Sequence, residues 1–267
     1  MIDIYKTMVQ TAVSPIKEMK VDKLTVKIFS NREEMGFAAA NEVAQRLRLL
    51  NKIKEEIHMI FAAAPSQNEL LEELSENRNL DFSKVTAFHM DEYIGLPEDA
   101  PQRFGNFLKD RIFGKANFKE ANYISPDEND VDECRRYASL IKNTSIDIVC
   151  LGIGENGHIA FNEPPSADFN DTEAARIIEL DLKSRIQQVN DKCFDTLEDV
   201  PEKAITLTIP SLLKGGYLCC VVPGFAKAGA VWKTLNEQVS SHCPATYLRT
   251  HNNAELFLDR DSAKFVL

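Results

Sequence analysis

Short apolar runs recur along the chain, and most are separated by segments with helical character. The runs that have the composition of strands are residues 24–29, 57–61, 85–90, 146–150, 204–209, 218–222 and 255–259. Strands that alternate with helices usually pair in parallel, because each helix carries the chain back across a face of the sheet. The pattern predicts an α/β fold with a mostly parallel, doubly wound, Rossmann-like sheet and helices on both faces.

Nothing in the sequence divides the chain into separate units. Its 267 residues contain no internal repeat, low-complexity linker or break in composition, and this length suits one large α/β domain. We therefore expect a single domain over residues 1–267, with residues 1–20 as an N-terminal arm or short helix. We expect the segment at about 163–190, polar over much of its length, to form a lid over the carboxyl ends of the strands.

The formal net charge of −10 narrows the range of partners. It argues against general binding to nucleic acid and gives no reason to expect an anionic membrane as a partner. The six cysteines form no C-x-x-C pair, and no apolar run reaches membrane-spanning length. Because buried free thiols and the absence of a secretion signal are typical of a reducing compartment, we expect a cytoplasmic protein. Assembly into a homo-oligomer stays open.

A glycine-rich turn follows the apolar run at 146–150. The turn carries His158 and Glu163, and two prolines directly after Glu163 oppose a helix at that point. This pair suits proton transfer, with the histidine moving a proton and the carboxylate orienting the ring. Residues 152–157 also match G-x-G-x-x-G, but a dinucleotide site needs a helix directly after the glycines. A nicotinamide site stays open as the weaker alternative.

Asp91 and Glu92 stand at the end of the run at 85–90. Neighbouring side chains in a strand point to opposite faces, so only one of the two carboxylates can face a given pocket. Such a carboxylate could act as a general base, or it could cap a helix or stabilise a turn. The residues alone leave both interpretations open.

Groups that suit an anionic ligand occur at two predicted helix starts. Lys227 lies in a first helical turn, where the helix dipole disfavours a cation unless an anion binds there too. A solvated surface lysine is the alternative. Ser66 and Gln67 begin another predicted helix and offer backbone N–H groups to the same anion. The sequence contains neither a G-x-S-x-G nucleophile motif nor a His-x-x-x-His metal pair.

Three segments resemble the glucosamine-6-phosphate deaminase/isomerase family, which is related to the 6-phosphogluconolactonases. Residues 91–96, DEYIGL, are similar to the family's aspartate-bearing motif, and residues 152–164, GIGENGHIAFNEP, are similar to its signature. Residues 223–228, PGFAKA, resemble the segment that carries the family's phosphate lysine. The likeness runs from about residue 24 to residue 258.

The resemblance implies an enzyme that converts glucosamine 6-phosphate and water to fructose 6-phosphate and ammonia, without a metal or cofactor. It implies that Asp91 moves a proton from carbon 2 to carbon 1 and that His158, with Glu163, opens the sugar ring. Asn156 is expected beside this pair as a further catalytic residue. The residues expected to contact the substrate are Ser66, Gln67, Glu92, Gly157, Lys192 and Lys227.

Three positions depart from the family pattern. Residues 62–65, AAAP, stand where many relatives have glycines and a Ser or Thr. Lys192 stands where the family often has arginine, so the charge stays but the bidentate fork is lost. Asn156 occupies the place of an acid, and its amide can orient the ring of His158 but brings no charge. We therefore expect Glu163 to be the main charged partner of His158.

Two other functions stay open at this point. Hydrolysis of a phosphosugar lactone would fit the related 6-phosphogluconolactonases, although residues 91–93 and 161–164 favour the deaminase. A non-catalytic sugar-phosphate sensor would need an attached DNA-binding module, for which an arm of about twenty residues is expected to leave no room.

Overall fold

The structure, a computed structural model, describes residues 13–125 and 129–267. Its strands are β1 (Lys17–Val21), β2 (Leu24–Ile28), β3 (Ile57–Phe61), β4 (Val85–His89), β5 (Asp91–Tyr93), β6 (Glu120–Asn122), β7 (Ile148–Leu151), β8 (Ala175–Glu179), β9 (Lys203–Leu207), β10 (Tyr217–Val222) and β11 (Ala254–Leu258). Its α-helices are α1 (Arg32–Ile53), α2 (Asn68–Glu76), α3 (Phe104–Leu108), α4 (Asp130–Lys142), α5 (Leu182–Asn190), α6 (Ile209–Leu213) and α7 (Ala228–Asn236). In this part of the chain, no helix combines the length and apolar character needed to cross a bilayer.

Eight strands form one sheet in the order β1-β2-β11-β10-β7-β3-β4-β6. β1 and β2 pair in antiparallel orientation, and the other neighbouring strands pair in parallel. The sheet confirms the predicted mostly parallel α/β fold. One edge of the sheet differs from the prediction. Residues 17–20 form most of β1 and not an arm, because they pair with β2 across the tight turn at residues 22–23. Residues 1–12 of the expected arm lie outside the described residues.

Helices cover both faces of this sheet. In β7, Ile148 and Cys150 belong to the apolar cluster that includes buried side chains of α1, α2 and α3. Val149 and Leu151 belong to the other cluster, with buried side chains of α4 and α7. Because successive side chains of a strand point to opposite faces, a strand covered on both faces is apolar over most of its length. This explains why the sequence pattern predicts a doubly wound sheet.

A second, smaller sheet contains β5, β9 and β8 in that order, and both pairs are antiparallel. The sequence predicts a strand at 204–209 but not that its residues leave the main sheet to form β9 here. Only Met90 separates β4 in the main sheet from β5 in the small one. Asp91 therefore starts the small sheet directly at the carboxyl end of a parallel strand. The segment at 163–190, expected as a lid, contains β8 and α5.

His89 is fully buried and holds the chain where it passes from the main sheet to the small sheet. Its Nε2 accepts a hydrogen bond from the Ile124 N–H (2.8 Å), so its Nδ1–H donates to the Asp91 carbonyl oxygen (2.8 Å). The Tyr137 hydroxyl accepts from the His89 N–H (3.0 Å) and donates to the His89 carbonyl oxygen (2.7 Å). Burial lowers the pKa of His89 to about 4, so the ring is neutral near neutral pH.

Replacing His89 by asparagine, which can still donate to the Asp91 carbonyl, is expected to flatten the acid dependence of stability. The folded-state pKa of about 4 lies below the ordinary value of 6.5, so the unfolded chain takes up a proton first as the pH falls. This linkage removes up to about 3 kcal/mol of the free energy of unfolding between pH 6.5 and pH 4. Urea unfolding of both proteins at pH 7.5 and 4.5 measures the difference, and parallel pH profiles would contradict it.

Candidate active site

A cavity of about 290 Å³ lies at the carboxyl ends of the central parallel strands. The segments after β3, β4, β7 and β10 contribute to its wall, which is the usual place for ligands in an open α/β sheet. Its volume is near the lower end of the range of about 300–1,000 Å³ that is typical of small-molecule sites. The sequence-predicted site residues that line it are Ser66, Gln67, Asp91, His158 and Lys227.

His158 and Glu163 form a hydrogen-bonded pair beside this cavity. His158 Nδ1 lies 3.0 Å from Glu163 Oε1, and Asn156 Nδ2 donates to Glu163 Oε2 over 2.6 Å. The Ser184 hydroxyl, from α5, donates to Glu163 Oε1 and lies 3.2 Å from His158 Nδ1. Burial alone would raise the pKa of Glu163, but contacts with His158, Ser184 and Asn156 together hold it below its usual value. His158 Nε2 has no protein partner in the described residues and is therefore available to a ligand.

Two glycines shape the turn that holds the histidine. A Cβ atom on Gly154 would lie 2.2 Å from ring atoms of His158, so the ring occupies the space that any other residue would fill. Gly157 has a φ of +91°, and a Cβ atom there would lie 2.6 Å from Cys243 Sγ. Gly157 does not line the cavity, so the structure gives no support to the expected substrate contact, and its positive φ suits the backbone of the turn.

Asp91 and Glu92 have different surroundings, as expected for neighbours in a strand. Asp91 lines the cavity, and burial, followed by the charge of Glu92, raises its pKa well above the usual value. Glu92 points away and accepts hydrogen bonds from the backbone N–H groups of Tyr93, Phe104 and Gly105 over 2.9–3.0 Å. Burial raises the pKa of Glu92 to about 7, although these donors act against the rise. The structure gives no support to the expected substrate contact of Glu92, whose carboxylate instead binds the N–H groups at the start of α3.

Two turns, which directly precede α2 and α7, form the end of the cavity that suits an anion. Lys227 is 7% exposed, and burial lowers its pKa. Ser66 also lines the wall. Gln67 offers fewer donors than the sequence suggests, since its N–H donates to the Ala64 carbonyl (2.9 Å) and its side-chain amide donates to the Val221 carbonyl (3.2 Å).

Lys192 does not line the cavity, so the structure gives no support to its expected contact with the substrate. It is exposed and has a φ of +59° at the turn that ends α5, where Asp191 faces the cavity instead. The polar and charged lining side chains that the sequence did not predict are Arg32, Gln187, Gln188 and Asp191. Arg32 could have been found from the sequence, because it is a cation in the first turn of a helix, as Lys227 was predicted to be. Gln187, Gln188 and Asp191 show no comparable pattern in the sequence.

Neither a metal site nor a dinucleotide site is apparent around the turn. Within residues 13–125 and 129–267, no group of three His, Cys, Asp or Glu side chains is placed to hold a metal ion. After Gly157, the chain forms a bridge between Ile159 and Asn162, and the next helix is α5. The G-x-G-x-x-G match therefore lacks the helix that would bind a pyrophosphate.

The sequence model of the family described as glucosamine-6-phosphate isomerases/6-phosphogluconolactonase matches residues 30–257. The chain belongs to this family. It is 34% identical over 246 residues to the glucosamine-6-phosphate deaminase of Clostridium perfringens, covering 90% of this chain and 98% of the relative. It is 35% identical over 240 residues to the Bacillus cereus glucosamine-6-phosphate deaminase, covering 90% and 87%.

Solved structures of the family have the same fold. A monomeric glucosamine-6-phosphate deaminase superimposes with a TM-score of 0.82 at 29% identity, covering 92% of this chain and 99% of that one. The 6-phosphogluconolactonase from Thermotoga maritima superimposes with a TM-score of 0.71 at 17% identity, covering 89% and 100%. The second likeness concerns the fold alone.

Proposed function

We propose that this protein converts glucosamine 6-phosphate and water to fructose 6-phosphate and ammonia. The observation that carries the proposal is that one cavity holds a buried carboxylate with a raised pKa, Asp91, and a histidine backed by a carboxylate, His158–Glu163, together with a buried cation, Lys227. The curated relatives named glucosamine-6-phosphate deaminase match most of the chain and support the same substrate class.

Ring opening is assigned to His158 with Glu163. The sugar ring opens when the O1 hydroxyl loses a proton and the ring oxygen gains one, which leaves an aldehyde at carbon 1. His158 Nε2, which has no protein partner in the described residues, can carry this proton, while Glu163 Oε1, 3.0 Å from Nδ1, stabilises the charged ring. Ser184 and Asn156 hold the carboxylate in place.

The proton shift between the carbons is assigned to Asp91. Its carboxylate removes the proton from carbon 2 while the aldehyde oxygen at carbon 1 gains a proton, which gives an enolamine. The carboxylate then returns its proton to carbon 1, which gives a protonated imine at carbon 2. Water then adds to the imine at carbon 2, and ammonia leaves to give the ketose phosphate. Burial raises the pKa of Asp91, and a base whose pKa lies nearer to the working pH accepts a proton from carbon more readily.

The segment at 163–190 is proposed to act as a lid. Gln187, Gln188 and Asp191, at the end of α5, line the cavity, and Ser184 in the same helix contacts both members of the His158 pair. Positioning of the pair therefore depends on the position of α5. As to compartment, the free thiols of the six cysteines support the proposal that the protein works in a reducing cytoplasm.

A panel of phosphorylated sugars tests the function, with released ammonia as the readout. Glucosamine 6-phosphate, its galactosamine and mannosamine counterparts, and 6-phosphogluconolactone are incubated separately with the protein, with and without a chelator. We expect ammonia from glucosamine 6-phosphate in both conditions. If no amino-sugar phosphate yields ammonia, the proposal is wrong, and lactone opening in the same preparation would make the protein a lactonase.

Replacing Asn156 by aspartate is expected to steepen the acidic limb of the pH profile of kcat/KM, because loss of the His158–Glu163 pair then adds to the loss caused by protonation of Asp91. The change removes the donor that lies 2.6 Å from Glu163 Oε2 and adds a second negative charge, and both effects raise the pKa of Glu163. Glu163 is then protonated, and lost as a partner of His158, at a higher pH. Asn156→Ala, which adds no charge, should steepen the acidic limb less. Superimposable profiles of kcat/KM would show that residue 156 is not coupled to the reaction.

A further inference from the structure

The phosphate end of the cavity needs more positive charge than Lys227 provides. A phosphate monoester carries nearly two negative charges near pH 7. Among the described residues that line the cavity, Arg32 and Lys227 are the Arg and Lys side chains, and Asp191 lines the cavity as well. Asp191 acts electrostatically on Lys227, so part of the lysine's charge is already balanced. Lys192, the expected second cation, is exposed and outside the cavity lining.

Arg32 is held in a fixed position at this end of the cavity. It is the first residue of α1, which begins after the carboxyl end of β2. Its Nε donates to Glu69 in α2, and its Nη2 donates to the Pro65 carbonyl oxygen, directly beside Ser66. These contacts join the arginine to the turn that supplies the neighbouring wall of the cavity.

The tethered guanidinium keeps most of its hydrogen-bonding capacity. Of its five N–H donors, one is used by Glu69 and one by Pro65, so both donors of Nη1 and one of Nη2 have no protein partner in the described residues. A guanidinium with neighbouring free donors suits bidentate binding of a phosphate. A role limited to the ion pair with Glu69 would not require the side chain to line a cavity.

We propose that Arg32 is the second phosphate ligand of the active site, at the end of the cavity away from the reacting carbons. In this proposal Arg32 has the role that was expected of Lys192. The inference rests on the proposed function, since it requires a phosphorylated sugar as substrate. Arg32 and Lys227 approach the phosphate from the starts of α1 and α7, so the helix dipoles and the side-chain charges act together on the same anion. Ser66, which also lines the cavity, can supply a hydroxyl to the same anion.

Calorimetric titration with a hexitol 6-phosphate tests the proposal without turnover, because a hexitol has no carbon 1 carbonyl and cannot react. Arg32→Ala is expected to weaken binding about 10- to 100-fold, as Lys227→Ala should, since a charge-assisted hydrogen bond is lost. Arg32→Lys should recover part of the affinity. Lys192→Ala, the matched control, should bind like the wild type. In turnover, Arg32→Ala should raise KM for glucosamine 6-phosphate far more than it changes kcat.

Glu69→Gln separates a ligand from a structural tether. It weakens the anchor of Arg32 but keeps the cation, so we expect a change of only a few fold. If Glu69→Gln weakens binding as much as Arg32→Ala does, Arg32 is a tether and the proposal is wrong. Wild-type affinity in Arg32→Ala, or an equal loss in Lys192→Ala, would also overturn it. Circular dichroism checks folding, and Arg32→Gln replaces the alanine variant if that variant does not fold.

The two proposals fail in different ways. If the wild type releases no ammonia but binds the hexitol 6-phosphate in an Arg32-dependent manner, the reaction is wrong and the phosphate ligand is right. If ammonia is released but Arg32→Ala binds normally, the reaction is right and the ligand is wrong. If the hexitol 6-phosphate does not bind the wild type at all, the phosphate site itself is wrong.

Discussion

Asp91→Asn is expected to lower kcat/KM for ammonia release by about 10²–10⁴-fold, because a positioned general base contributes roughly this factor. Asparagine has nearly the same shape but cannot accept the proton from carbon 2. Binding of a hexitol 6-phosphate should change little, since Asp91 is assigned to the reacting carbons and not to the phosphate. Steady-state kinetics and calorimetric titration of the same preparation measure both quantities.

The pH profile of the wild type provides a second check on Asp91. Burial raises its pKa well above the usual value, so the carboxylate should become protonated, and activity should fall, at a higher pH than an exposed aspartate would give. An acidic limb that stays in the ordinary range of an aspartate would contradict this role. Near-normal turnover by Asp91→Asn would move the base elsewhere, and Glu92→Gln would then be the next variant to measure.

Gly154→Ala is expected to lower kcat/KM by about the same factor as direct removal of the histidine in His158→Gln, about 10²–10⁴-fold. The added Cβ would lie 2.2 Å from ring atoms of His158, and no contact this short is tolerated. The ring must move, and it then loses its alignment with Glu163, which lies 3.0 Å from Nδ1. Kinetics of the two variants, measured side by side, test whether the glycine is needed to position the histidine.

Gly229→Ala is the matched control for this substitution. Gly229 lies in α7, and a Cβ atom there would meet nothing within 4 Å, so the variant should keep wild-type kcat/KM. Near-normal activity of Gly154→Ala would show that His158 can act from another position. Loss of phosphate binding in Gly154→Ala would indicate wider disruption of the cavity, which calorimetric titration detects.

Much of the main sheet could be predicted because its central strands are buried on both faces. Such strands appear as short, mostly apolar runs, as in residues 218–222 and in residues 57–61, where His58 is the exception. The small sheet could not be predicted in the same way. β5 has three residues, two of them acidic, and β8 contains a charged residue at its second position. Their pairing depends on β9, which the sequence cannot distinguish from a strand of the main sheet.

Some residues of the candidate site could also be predicted from the sequence, and others could not. Asp91, His158 and Lys227 could be predicted because each follows a strand, and the topology alone gathers the strand ends. Glu92 and Lys192 could not be placed, because their directions depend on local backbone geometry. Alternation in the strand predicts that one of two neighbouring carboxylates faces away, but only the structure shows which. Lys192 itself has a left-handed φ of +59° at the turn that ends α5, and its side chain is exposed.

The order of the strands has a consequence for the synthesis of the protein. β11 is the last strand to be made, yet it lies inside the sheet between β2 and β10, so that Thr25 pairs with Glu255. A chain that leaves the ribosome from its N-terminus therefore holds the β1–β2 hairpin without its parallel neighbour until almost all of the sequence has emerged. The pairing closes a very long loop, which makes it a slow step. Until then, the unpaired edges of β2 and β10 are open to other nascent chains.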